Sequence, residues 1–167
     1  MAERDEPADG DERAVLLGWL AFHRAALADK CDGPAPEQLI ERPAEPSDLS
    51  LLGLVRHLTI MERVYGSGAL GLAPRELIYC DDEHPDGDFL DLVVDDVEPS
   101  FTRWAEERRL TDAALAGFDG PASLDHASPH GNGRSVRWNL VKLLQEYARH
   151  NGHADLLRER IDGEIGE

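Results

Sequence analysis

The run Glu146-Tyr147-Ala148-Arg149-His150-Asn151-Gly152-His153 places one carboxylate and two imidazoles within two turns of any helix that spans it. Counted at about 100° per residue with Glu146 at zero, His150 falls at about +40° and His153 at about −20°. Leu143 and Leu157 fall at about +60° and about +20° by the same count, so the polar trio points the way the leucines point. A lone histidine on such a face is most often a core residue that has found a hydrogen bond. A carboxylate beside two imidazoles is different. A buried Glu is costly unless paired or metal-bound, and neutral imidazole with carboxylate is a common first shell for zinc and similar divalent ions.

Such a site needs a ligand from elsewhere in the chain. His57 offers one, in the segment that runs from Ser50 to Tyr65, where Leu54, Leu58, Met61 and Val64 or Tyr65 surround it at helical spacing. His57 therefore lies on a buried stripe and can meet the trio across a helical core. His23 also faces a core stripe, with Val15, Leu16, Trp19, Leu20, Ala26 and Leu27. No second ligand type accompanies it, which leaves it as a core histidine or a pocket wall.

The elements that must position these groups are four long helical patterns separated by breaker-rich loops, the mark of an all-α bundle. The first runs from Asp11 to Lys30, after a polar tail over residues 1–10. A proline-rich connector follows, with one turn expected over 37–40, before Ser47 or Ser50 offers a helix cap. The second helix should run to Tyr65 and break at Gly66, Gly68, Gly71 and Pro74. From Arg75 to Asp96 the chain is acidic and reads as solvated surface, without the spacing of a calcium loop. Pro99 suits the first turn of a third helix, expected to end near Gly117, with Gly120 and Pro121 beyond it. His126 and His130 fall in a loop and stay outside the site. Ser135 reads as the cap of a fourth helix over Val136 to Ile161, closed by Asp162 and Gly163. The expected organisation is one domain over residues 11–163.

Composition narrows the function classes. With 167 residues, 34 acidic and 17 basic side chains give a net charge of −17, which argues against any surface that tracks nucleic-acid phosphates. No leader pattern is visible, and no stretch approaches the roughly 18–20 apolar residues of a membrane span. A soluble, cytoplasmic protein is expected. Cys31 and Cys80, too few for a disulfide framework, read as free thiols.

The strings Leu51 to Leu58 and Ser135 to Gly163 resemble the DUF664 branch of the DinB/YfiT-like superfamily, and the likeness spans nearly the whole chain. The resemblance implies a four-helix bundle with long loops, often dimeric, holding a divalent metal near one end. It implies ligands at His57, Glu146 and His150. Many members carry histidine where this chain has Glu146, but the mycothiol-dependent maleylpyruvate isomerases resemble it in using glutamate. His153 stands where relatives often have glutamine, so it reads as pocket wall or as an alternate ligand in place of Glu146. Zinc is the default ion, with nickel, iron or manganese as alternatives. The activity implied is activation of a low-molecular-weight thiol, such as mycothiol, for transfer to or isomerisation of an electrophile. Two other readings keep the metal: a hydrolase that uses bound water, with His153 or His23 as its base, and a non-catalytic, stress-associated metal-binding protein.

Overall fold

Helix starts follow the capping side chains that the sequence offers. Asp11 accepts a hydrogen bond from the Ala14 amide at 2.8 Å and opens α1 (Glu12–Cys31), satisfying one of the donors that a first turn leaves unpaired. Pro36 opens the single turn α2 (Pro36–Leu39). Of the two serines available as the next cap, Ser50 serves. Its Oγ accepts from the Gly53 amide at 3.1 Å, and α3 runs over Leu51–Met61. A 3₁₀ turn over Val94–Asp96 leads into α4 (Val97–Leu115), with Pro99 in its first turn as expected. Ser135 accepts from the Trp138 amide at 3.1 Å to start α5 (Val136–Asp162), which ends on Gly163 at φ 80°, a left-handed conformation natural to glycine.

In this computed structural model the described residues are 6–7, 9–71, 76–119, 122–131 and 133–166. Most of the expected tail over 1–10, and the expected breakers Pro74, Gly120 and Pro121, lie outside them. Among the described residues the protein is all-helical, with an isolated bridge between Ala127 and Ser135 and no strand. None of these helices is long and apolar enough to cross a membrane.

One expectation fails between Met61 and Gly71. Gly66 and Gly68 do not stop the helix, because the chain winds on as a π-helix over Glu62–Gly68 and turns only at Gly71. The cause sits on α4. Thr111 Oγ1 donates to the Glu62 carbonyl at 3.3 Å and accepts from the Ser67 amide at 3.1 Å, so the hydroxyl stands between the two groups that an i→i+5 bond would join. A Cβ on Gly66 would lie 2.2 Å from that Oγ1, so only glycine permits this approach.

α1 packs on α5, α3 packs on α4 and α5, and the π-helical segment lies against α4 and α5. Their shared core includes Leu27, Leu51, Leu54, Leu58, Leu143 and Leu157. Four of these segments also meet in a buried polar network. Glu62 accepts from Arg24 Nε and Nη2 at 2.7 and 2.8 Å and from the Tyr147 hydroxyl at 2.7 Å. Trp104 Nε1 donates to the same hydroxyl at 2.8 Å, and Arg24 Nη1 reaches Asp112 at 2.7 Å. Here a fully buried carboxylate is affordable because both of its oxygens are hydrogen-bonded.

Candidate metal centre

α5 carries Glu146 and His150 one turn apart on its buried side, and α3 presents His57 opposite them. One ligand atom from each of the three lies within 4.8 Å of the others. Glu146 Oε2 stands 3.7 Å from His57 Nε2 and 3.6 Å from His150 Nε2, and the two imidazole ring centres are 4.5 Å apart. Ligands at about 2.0–2.2 Å from a tetrahedral ion stand roughly 3.3–3.6 Å from one another, so these separations are close to a first shell and too long for hydrogen bonds. His57 Nε2 is buried and has no hydrogen-bond partner among the described residues. A buried orphan nitrogen that faces a carboxylate oxygen and a second imidazole fits a cation between them.

A surrounding layer fixes the orientation of each group. His57 Nδ1 lies 2.8 Å from Asp88 Oδ2. A carboxylate can only accept, so the imidazole proton is assigned to Nδ1 and the Nε2 lone pair is directed at Glu146 and His150. The Phe89 ring stacks on His57 at 5.6 Å between centroids. It can seat there because residue 53 is glycine: a Cβ on Gly53 would lie 2.6 Å from Phe89 Cδ1. Lys142 Nζ donates to Glu146 Oε1, which leaves Oε2 for the imidazoles.

Electrostatics favour ligand-ready protonation states. Burial, reinforced by the His57 and His153 rings, pushes His150 down to about 4 and keeps it neutral at pH 7. Burial works to raise the Glu146 carboxyl. The hydrogen bond and charge of Lys142, with the two imidazoles, nevertheless bring it below its ordinary value.

Of the residues singled out from sequence, His57, Glu146 and His150 converge and two do not join them. His153 lies beside His150 rather than beside Glu146, with the two Nδ1 atoms 3.2 Å apart. That nitrogen of His150 points away from the carboxylate, so His153 contacts a ligand candidate from behind. His23 borders a different cavity, of about 460 Å³, between α1 and α5. There Asn151 Nδ2 donates to the His23 carbonyl at 3.0 Å. Burial lowers the His23 pKa.

The residue that sequence reasoning missed is Asp88. The acidic run reads as solvated surface, and most of its described members are exposed, yet Asp88 is 3% exposed and touches the site. The available signal was the apolar Phe89-Leu90 step directly after it.

A family model described as mycothiol-S-transferase matches residues 15–163 of the chain. No match is found among the curated proteins or among the solved structures.

Proposed function

The chain belongs to the mycothiol S-transferase family, within the DinB/YfiT-like superfamily, and from that premise we propose that it transfers a mycothiol-like thiol to an electrophile at a divalent metal held by His57, Glu146 and His150. The observation that carries the reading is the convergence of three donor groups, with His57 Nε2 buried and unpaired among the described residues, on one point between α3 and α5. Zinc is the default ion for this donor set, and nickel, iron and manganese accept it too. A divalent cation held by these residues would supply positive charge that favours the thiolate of a thiol whose ordinary pKa is about 8.5.

The chain's own residues do the positioning. Asp88 holds the proton on His57 Nδ1, Phe89 fixes the plane of the ring, and Lys142 holds one oxygen of Glu146 so that the other faces inward. His153 acts behind His150 as an orienting group rather than as an alternate ligand. Three protein donors rather than four suit a site that leaves room for a substrate.

A hydrolase would need a free base. Glu146 is held by Lys142, His153 by His150, and His23 faces another cavity, so none is offered. We read the helices as the four-helix bundle of the superfamily, with α1, α3 with its π-helical continuation, α4 and α5 as its members, in one domain over 11–163. The family likeness also implies a homodimer, which light scattering on the purified chain tests.

The activity is tested by mixing mycothiol with a panel of electrophiles and following loss of free thiol. Metal-loaded protein should accelerate that loss, and chelated protein or His57→Ala should not. A panel with no metal-dependent rate would sink the transferase reading.

A further inference from the structure

A cleft of about 500 Å³ opens between the π-helical segment, the loop before α5 and the first turns of α5, and His57, Glu146 and His150 are not among its lining residues. Its charge opposes that of the protein. In a chain with a net charge of −17, the described residues that line this cleft include Arg63 and Arg134 and no acidic side chain. The start of α5 adds the positive end of a 27-residue helix to the same space.

The cations in and beside the cleft are not equally available. Arg63 is committed to Glu107, donating from Nε and Nη2 at 3.0 and 2.8 Å, and Lys142 is committed to Glu146. Arg134 is exposed, and its guanidinium lies 4.8 Å from the centre of the Trp138 ring with no ion pair among the described residues. Stacking of this kind leaves the in-plane N–H fork free for a carboxylate. The remaining walls are aromatic and aliphatic beside His130 and Asn139. Trp138 is 41% exposed, Val64 is 38% exposed, and Tyr65 meets the indole edge to face at 6.1 Å.

We propose that this cleft binds a small planar ligand that carries one carboxylate, its anionic group on Arg134 and its flat body along Trp138 and Tyr65. One free fork beside aromatic and aliphatic walls matches a single charge on an apolar body; a ligand with several phosphates would need cations that are already paired. The site goes beyond the transferase reading and does not depend on it. The two regions are neighbours, since Lys142 lies 5.6 Å over the Tyr65 ring and bonds Glu146.

The test is calorimetric titration of the full chain with cinnamate, and with cinnamamide as the uncharged analogue of the same shape. Cinnamate should fill one saturable site, and cinnamamide should bind at least about tenfold more weakly. Arg134→Gln and Trp138→Ala should each weaken cinnamate by about tenfold or more, with melting curves close to wild type because both side chains are exposed. His57→Ala should bind cinnamate as wild type does, which separates this cleft from the metal cluster. Equal affinity for the two probes, wild-type affinity in Arg134→Gln, no saturable binding at millimolar cinnamate, or loss of binding in His57→Ala would each overturn the proposal.

Discussion

Two buried glutamates, Glu62 and Glu146, sit in opposite circumstances within one helical core. Both oxygens of Glu62 are taken, by the Arg24 guanidinium and the Tyr147 hydroxyl, and the network around it runs on to Trp104 and Asp112. Glu146 follows a different pattern: Lys142 takes one oxygen, while the other faces two imidazole nitrogens at 3.6 and 3.7 Å without bonding either. The neighbouring residues Glu146 and Tyr147 thus point into an open cluster and a closed one. A closed network locks helices together; an open one keeps capacity for a ligand. The same residue type does structural work in one place and site work in the other, and hydrogen-bond saturation tells them apart.

The largest expected effect breaks the closed side. Glu62→Ala leaves the Arg24 guanidinium and the Tyr147 hydroxyl buried beside an empty space, and should cost about 3–5 kcal/mol in urea denaturation whether or not metal is present. Stability near wild type would mean that the network contributes little. Chelation is the counterpart on the open side. Removing metal at a loading of about 100 times Kd removes about 2.7 kcal/mol, a fall of roughly 5–10 °C in Tm for a chain of this size. His57→Ala should melt at one temperature with and without chelator, and a wild-type melt indifferent to chelation would contradict an occupied cluster.

Much of this contrast was legible in the sequence and part was not. Periodicity alone put Glu146 and His150 on the leucine face of α5 and His57 on the buried stripe of α3, because helical spacing fixes direction before any contact is known. Spacing left open whether Glu146 or His153 accompanies His150, since both pairings share that face. The geometry at His150 Nδ1 favours the first. Asp88 was hidden because its neighbours in sequence are exposed acids, and its partner His57 lies far away along the chain. The π-helix was hidden for the same reason: Thr111, which opens the helical ladder, belongs to another helix. Nor does the sequence warn that Gly66 admits Thr111 of α4, and that Gly68 fits against the Arg63 carbonyl of its own segment, instead of ending the helix.

Smaller effects sharpen the comparison. Asp88→Asn keeps the shape but weakens the acceptor that holds the His57 tautomer, and should reduce metal affinity about 10–100-fold in competition with a chromogenic chelator. An unchanged affinity would reduce Asp88 to packing. On the closed side, Thr111→Val leaves the Ser67 amide without its acceptor and should cost about 1–3 kcal/mol in urea, with metal content unaffected. The smallest readout is thiol labelling at pH 8. Burial pushes Cys31 up to about 12 in the core, whereas Cys80, also raised by burial and by Asp88, Asp81 and Asp86, is only partly covered. Iodoacetamide should therefore modify Cys80 first and reach Cys31 only on unfolding. Equal rates would show that the core around Cys31 opens readily.

The most direct test of the central assignment is the metal content of purified protein by elemental analysis, for wild type beside His57→Ala, Glu146→Ala, His150→Ala and His153→Ala. About one divalent ion per chain in wild type and in His153→Ala, and none in the other three variants, is the predicted result. No metal in wild type after reconstitution, or equal retention in all four variants, would contradict it.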